Sequence, residues 1–473
     1  MEKIKYDNIK LVDKKTISFS LYPTRVTYAN TLRRIIQTEV PTLGFRADMT
    51  EEGTTTDVKV LKNTTPMSNE MLADRIGLLS IAPQRGAGWK KKDVLFKLHV
   101  KNEEPEVRYV KASDFECISR TDKGEEHIAN TRFFHPDPIT QDTSLIAVLK
   151  PYIEGQPPEE IHIEAYASLG RGREHTRFNP TCQCSYGYSR DTNPEKINRL
   201  WQTWLVEQKK IDPKELEKKE NEKRKEELTR EFRSLSINRC YLTFPDGEPF
   251  SYDFTIESVN SEPVTKIVYR GMIYAAKFVE KYTSLDKGDL PDNIEIQPAD
   301  ARMKGFDFIF SDVDGHTLGN MLQTWIDDSD KIRDKEVSFV GYKVPHPLRN
   351  EFVFRIGVED GKEETARRIL AEAAKGCMDM FMEWALEWKL AVERAGIQSE
   401  MYDEDIGADE EGEGETKSAW QLHAEMRQRI LDAKKKKEEE AAKPETKAVA
   451  SAPSAGAAKA TPAVKKTAAA KKK

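Results

Sequence analysis

The chain has few cysteines, five in 473 residues, too few to staple a fold of this length with disulfides. Free thiols in a reducing compartment are expected. It has no apolar run approaching the ~18 residues that span a bilayer, so no membrane segment is expected. Its opening, MEKIKYDNIK, lacks the apolar core of a secretory signal. It has no excess of basic charge: Lys plus Arg is 75 against 81 Asp plus Glu, a formal net charge of −6. That excludes a uniformly basic nucleic-acid coat and leaves room for local patches. It also lacks a Gly-rich phosphate loop ending in Lys-Ser/Thr. Apolar residues make up only 38% of the chain and charged ones 33%, so part of it is expected to be unpacked or extended helix. The length predicts two or three domains.

What is present is strong helical periodicity in four places. Residues 26–40 place Val26, Ala29, Leu32, Ile35, Ile36 and Val40 on one face, and Pro41 stops the helix. Residues 263–283 align Ile267, Gly271, Phe278 and their neighbours. Residues 317–328 align Leu318, Met321, Leu322, Trp325 and Ile326. Residues 364–391 form a long stripe that includes Phe381, Trp384 and Trp388, wider than one small sheet needs to cover itself. Strands are expected at 16–21, 306–311, 337–344 and 351–358, with PHPLRN as a turn. Many short strands with Gly, Pro and Asp breaks fill 45 to about 185. Residues 207–234, dense in Lys and Glu with sparse Ile211, Leu216, Leu228 and Phe232, read as a solvated helix laced with i,i+4 pairs. Beyond residue 396 an acidic run, a possible helix at 418–431 and a Lys/Ala-rich tail hold too little apolar surface to offset the entropy of ordering.

Two of the helices are written alike. TYANTLRRII (27–36) and TLGNMLQTWI (317–326) share Thr-x-small-Asn-x-Leu-x-x-x-Ile at an offset of 290 positions. Each follows an alternating strand and precedes a second long amphipathic helix. The small residues Ala29 and Gly319 permit close approach of another backbone. Asn30 and Asn320 can hydrogen-bond a neighbouring backbone group. Each copy reads as helices on a sheet, and the cheapest cover for one apolar face is its counterpart in the other copy.

These residues carry a resemblance. YANTLRRIIQTEVPTLGF (28–45), MSNEMLADRIGLLSI (67–81), GREHTRFNP (172–180) and YDFTIESVNSEPVTKIVYRGMIY (252–274) resemble the motifs of the α-type assembly subunits of DNA-directed RNA polymerases. GHTLGNMLQTW (315–325) and FVGYKVPHPL (339–348) resemble the small subunit that pairs with the α-type chain. Asp74 departs from the pattern, where many relatives carry His. The resemblance implies a heterodimer fused into one chain, similar to the polymerases of large nucleocytoplasmic DNA viruses. It implies a non-catalytic platform on which two large catalytic subunits and small assembly subunits dock. A viral source would place it in the host cytoplasm, in a viral factory, and in the virion; the nucleus is the other expectation.

The fold class expected is α+β, with two dimerisation modules pairing within one chain. The first is 1–44 with 235–285 and the second 303–395. A β-rich insertion occupies 45–200, a charged helical insertion 201–234, a linker 286–302, and a disordered tail 396–473. The pairing interface is assigned to Ala29, Asn30, Leu32, Ile36, Ile267, Gly271, Phe278, Gly319, Asn320, Leu322, Trp325, Phe381, Trp384 and Trp388. Arg33, Arg34, Arg75 and His175 are assigned to docking of the large subunits. His316 and His346 read as structural. Some relatives carry a Cys-rich site in the insertion, but Cys117 with Cys182-Gln-Cys184 is a weak zinc signal, and no metal or cofactor is expected. Nucleic acid is expected to meet the chain only indirectly or through the Lys-rich tail.

One enzyme reading competes. FIFSDVDGHTL (308–318) sets Asp312 and Asp314 after an apolar strand, resembling the nucleophile and acid/base pair of Mg²⁺-dependent haloacid-dehalogenase-type phosphohydrolases. Thr317 follows Asp314 by three residues where that motif has two. The Asp-rich metal triplet of polymerase catalytic subunits is likewise missing.

Overall fold

The computed structural model describes residues 3–398 except 14, 49–56, 83–93, 122–123, 138, 215, 217–220, 260–261, 289, 301–302, 330–331 and 333–334. The expected tail and its helix at 418–431 lie outside the described residues. The chain opens with strands β1 (Lys5–Val12) and β2 (Thr16–Tyr22) and helix α1 (Val26–Thr38). In β2 the alternation is read out directly: Ile17, Phe19 and Leu21 are buried. α1 buries Ala29, Leu32, Ile35 and Ile36 and stops at Glu39, two residues before Pro41.

An inserted body follows. It contains β3 (Thr42–Gly44), β4 (Val58–Asn63), α2 (Asn69–Gly77), β5 (Val94–Lys101), β6 (Arg108–Lys111), β7 (Glu116–Thr121), β8 (Gly124–Ile128), β9 (Leu145–Leu149), β10 (Glu160–Ala165) and β11 (Ser168–Gly170). Its main sheet has the order β4-β10-β5-β7-β8, with β11-β3 and β6-β9 as two-stranded ribbons. Its own core gathers Phe45, Phe96, Phe115, Phe133 and Phe134. α2 starts on Ser68, whose hydroxyl accepts from the Met71 amide as an N-cap.

The next strand, β12 (Thr181–Tyr188), corrects the expected insertion boundary. It leaves the insertion and pairs with β13 (Tyr252–Ser258), completing a first antiparallel sheet of order β1-β2-β13-β12. Between those two strands lie α3 (Pro194–Trp204) and α4 (Glu222–Ser234). They correct the expected solvated helix. Leu216, Leu228 and Phe232 are buried with Trp204 and Leu205, and Trp201 stacks on Trp204 at 5.4 Å. The apolar residues are sparse within 207–234 because their partners lie N-terminal to it, in a helix that begins at Pro194.

Helix α5 (Val264–Glu280) returns across the first sheet and is buried on nearly every side from Val264 to Ala276. The second unit is β14 (Ile294–Pro298), β15 (Gly305–Ser311), α6 (Gly315–Asp327), β16 (Val337–Lys343), β17 (Glu351–Val358) and α7 (Glu363–Arg394). Its antiparallel sheet has the order β14-β15-β17-β16, so part of the expected linker is an edge strand. Phe308 and Phe310 oppose Phe354 and Phe352 in register, and the Phe310 and Phe352 rings stack at 4.7 Å. The long helix α7 begins with Glu363 and Glu364 and ends with Arg394, charges matched to its dipole. α7 packs along α5, and α1 packs against both α5 and α6, so the two units meet through helices.

Candidate functional site: the seam between two helix-on-sheet units

α1 and α6 cross with their chain directions opposed, and the polar contacts between them fall in reversed order. At the start of α1, Arg25 grips Asp328 at the end of α6, with Nη2–Oδ1 at 3.1 Å and Nε–Oδ2 at 3.3 Å. Arg25 also reaches Asp246 at 2.6 Å and Glu248 at 3.0 Å. Burial works against its charge, but these carboxylates outweigh burial and raise the guanidinium above its ordinary value. In the middle, the Thr27 hydroxyl meets Asn320 Nδ2 at 3.3 Å and the Thr324 hydroxyl at 3.0 Å. Near the end of α1, Arg34 donates to Asp314 Oδ2 at 2.6 Å and to the Thr317 hydroxyl at 2.7 Å.

Asp314 is the N-cap of α6, accepting from the Thr317 amide at 3.3 Å and the Thr317 hydroxyl at 2.5 Å. Burial pushes its carboxyl up, yet the Thr317 and Arg34 donors prevail and hold it below the ordinary carboxylate value. Both candidate aspartates of the phosphohydrolase reading are therefore occupied. Asp314 is an ionised cap and seam anchor. Asp312 sits at φ 55° and accepts from Asn350 Nδ2 at 3.2 Å. Among the described residues, no group of three or more His, Cys, Asp and Glu side chains could hold a metal ion.

The apolar half of the seam is built by α7. Trp388 is fully buried, its ring 4.7 Å from Phe19 and 5.2 Å from Tyr6, both on the first sheet. Its indole N–H donates to the Thr265 carbonyl on α5 at 3.1 Å. The Tyr6 hydroxyl donates back to the Trp384 carbonyl at 3.2 Å. Tyr6, Phe19 and Trp388 thus form one aromatic cluster drawn from both units. At the edge of this cluster, Lys3 pairs with the buried Glu387 at 2.8 Å.

The remaining interface candidates sort by position. Ala29, Leu32, Ile36, Ile267, Leu322, Phe381 and Trp384 are buried. A Cβ on Gly271 would stand 2.3 Å from Ile36 Cγ1, so Gly271 permits the close crossing of α1 and α5 within the first unit. Gly319 does not face the seam: a Cβ there would meet the Tyr342 ring at 2.6 Å, on the second unit's own sheet. Trp325 is half-buried and lies over Gly376 of α7. Phe278 is only half-buried. Asn30 turns away and accepts from Arg33 Nε and Nη2 at 3.0 Å, so of the two repeated asparagines only Asn320 reaches across.

Each of the four docking candidates also has a partner inside the chain. Arg34 holds Asp314, and Arg33 holds Asn30 and Gln37. Arg75 donates to the carbonyls of Ile146 at 2.6 Å and Leu145 at 3.0 Å, fastening α2 to β9. His175 accepts the Arg177 amide on Nδ1 at 3.1 Å.

His175 belongs to a buckle in which three sequence motifs converge. A Cβ on Gly172 would stand 1.9 Å from the Gln37 carbonyl oxygen at the end of α1. Arg173 pairs with the buried Glu39 at 2.6 Å. Arg177 donates to the Phe45 carbonyl at 3.0 Å and lies where a Cβ on Gly77 would be. The segments 28–45, 67–81 and 172–180 therefore fix the insertion to the end of α1.

The thiols do not cluster as ligands. A register shift between Thr181 and Gln183 leaves Cys182 exposed and Cys184 buried on the same strand. Burial pushes the Cys117 and Cys184 thiols up to about 12, keeping them protonated.

Sequence reasoning missed Tyr6, Arg25, Thr27, Thr324 and Asp328. The repeat held the signal for the contacts between α1 and α6, because copies related by a two-fold axis cross antiparallel. Partners then lie at reversed offsets about the shared Asn.

Residues 307–385 match the family of the RNA polymerase Rpb3/Rpb11 dimerisation domain. The chain is 28% identical over 188 residues to DNA-directed RNA polymerase subunit Rpo3 of Methanosphaera stadtmanae, covering 37% of this chain and 58% of that one. It is 33% identical over 79 residues to DNA-directed RNA polymerase II subunit RPB11 of Schizosaccharomyces pombe, covering 16% of this chain and 58% of that one. It is 26% identical over 194 residues to DNA-directed RNA polymerases I and III subunit rpac1 of Dictyostelium discoideum, covering 38% and 51%. The matches span between half and three fifths of each relative's length. These three relatives are RNA polymerase subunits, one named Rpo3, one RPB11 and one rpac1.

Proposed function

We propose that the chain is a non-catalytic assembly subunit of a multisubunit DNA-directed RNA polymerase. In this reading its two helix-on-sheet units pair with each other as separate subunits of the Rpo3 and RPB11 kinds would. The product is a platform on which two large catalytic subunits and small assembly subunits dock. The observation that carries it is Trp388, a side chain of the unit matching the dimerisation domain, buried in an aromatic cluster with Tyr6 and Phe19 of the other unit. Relatives of both kinds matching one chain support the fusion.

The role is mechanical. Asp312 and Asp314 are bound into the structure, so chemistry would belong to the partner subunits. Arg33, Arg34, Arg75 and His175 are the candidates for contact with the large subunits. Nucleic acid would meet the chain only through the assembled enzyme or its Lys-rich tail. Affinity purification of the full chain from its native source tests this. Two very large chains and templated RNA synthesis should co-purify with it. Recovery of the chain alone under gentle lysis, from cells that are actively transcribing, would contradict it.

A further inference from the structure

The polar contacts between α1 and α6 obey a two-fold relation. With the repeat offset of 290 positions, Thr317 is the counterpart of Thr27, and Thr324 that of Arg34. The contacts Thr27–Thr324 and Arg34–Thr317 are then one contact seen from either side of the axis. The positions are equivalent, but the residues are not. Thr24 stands where Asp314 does, Arg25 where Gly315 does, and Thr38 where Asp328 does. In the ion pairs of this crossing, Arg25–Asp328 and Arg34–Asp314, the first unit supplies the cations and the second the carboxylates.

That asymmetry decides which pairings match. Were α1 laid on a second copy of α1 by the same relation, Arg34 would face Thr24 and Thr27, and Arg25 would face Thr38. Each copy would bring two arginines to the crossing and no carboxylate to meet them. Arg25 would keep Asp246 and Glu248, which belong to its own unit, but Arg34 would lose Asp314. Were α6 laid on a second copy of α6, Asp314 would face Thr324 and Asp328 would face Gly315. Each copy would then bring two carboxylates and no cation. Asp314 and Asp328 are 26% and 21% exposed, so leaving them unmatched costs more than at an open surface. The apolar contacts of the crossing do not discriminate, because Leu32 and Leu322, and Ile36 and Ile326, are the same residues in both units and all are buried. Of the three pairings, α1 on α6 sets each arginine against an aspartate.

We propose that Arg25, Arg34, Asp314 and Asp328 are specificity-determining residues of the seam: they admit a unit of the opposite kind and refuse a second copy of the same one. This rests on reading the two units as partners. It adds why the chain closes on itself instead of joining a second chain through like units.

Charge reversal within the full-length chain recreates the like-charged crossing that a second copy would present. Position 34 reads it most cleanly. In the otherwise unmodified chain, urea midpoints should fall in the order Arg34, Arg34→Gln, Arg34→Asp. In a chain carrying Asp314→Arg the order should invert, with Arg34→Asp the most stable. Loss of the Asp314 cap is common to every chain of that second set and does not enter its order. Matched and like-charged chains should differ about fivefold in folding equilibrium constant at low salt, and less as salt screens the charges. The Gln variants give the order even where a like-charged chain fails to fold. Arg25 and Asp328 are read by coupling, since Asp246 and Glu248 act on Arg25 from its own unit: Asp328→Arg should cost about threefold less in an Arg25→Asp chain than in the unmodified one. The same order in both sets, or midpoints indifferent to the residue at position 34, overturns the proposal. Hydrogen exchange on Trp388→Ala separates that result from failure of the pairing. Protection lost in both units, with no inversion at position 34, strikes the specificity alone; loss confined to the second unit strikes the pairing and the specificity with it.

Discussion

Trp388→Ala perturbs a side chain enclosed by residues of both units. The indole is fully buried, touches two aromatic rings and donates one hydrogen bond to a helix carbonyl. Truncating a buried Trp to Ala costs ~3–5 kcal/mol, from lost transfer energy and the cavity left behind. A typical domain has ~5–15 kcal/mol in all, so the loss is a large fraction of stability. Trp388→Phe keeps most of the ring packing and gives up the donor to Thr265, which costs about 1 kcal/mol. Urea unfolding of the full chain, followed by far-ultraviolet circular dichroism, measures both. Because the cluster is shared, the β-sheet signal of the first unit should shift with the helical signal of α7, at one lowered midpoint. Hydrogen exchange assigns the loss: amides of β1, β2 and α5 should lose protection together with those of α7. Loss confined to α7, with β1 and β2 unchanged, would refute the shared-core reasoning.

Four further outcomes follow from the same geometry. Arg34→Ala and Asp314→Asn should each destabilise the chain, and their double-mutant cycle should return a coupling of about 1 kcal/mol, modest because both side chains are partly open to water; additive effects would mean the pair carries nothing. Asp314 has a carboxyl depressed from the ordinary 3.8, so its contribution is complete above that value and is lost as pH falls through the folded-state value; an acid titration of urea midpoints should show this loss, and Asp314→Asn should remove it. Gly271→Val should cost ~1–3 kcal/mol, since a Cβ there already intrudes on Ile36, and thermal melts measure it. In the native chain Cys182 should be the one described thiol that reacts readily with a thiol reagent, and Cys117, Cys184, Cys240 and Cys377 should react only on unfolding.

The sequence makes the helices and strands legible where the periods are clean. FDFIFS and EFVFRIGV alternate and pair in register, and all four long helices lie within a few residues of their expected bounds. What was illegible depended on partners distant in sequence. The cluster around Phe232 needed Trp201 and Trp204, which lie outside the charged stretch. β12 reads like any short strand of the insertion, and only its pairing with β13 assigns it to the first sheet. At the seam, the apolar residues followed from helical stripes, but the polar contacts did not. The sequence shows an arginine at a helix edge but not the carboxylate opposite it, as Arg34 and Asp314 illustrate. Gly319 and Asn30 mark the limit of the repeat, because equivalent positions in two copies need not make equivalent contacts.

A single cut tests the claim that the two units hold together without the chain that joins them. A protease site introduced within residues 286–292 allows the folded protein to be nicked between α5 and β14. Size-exclusion chromatography of the nicked protein then reads association directly. Co-elution of the two fragments as one species, separating only in denaturant or on Trp388→Ala, is the predicted result. Fragments that part in native buffer would contradict it.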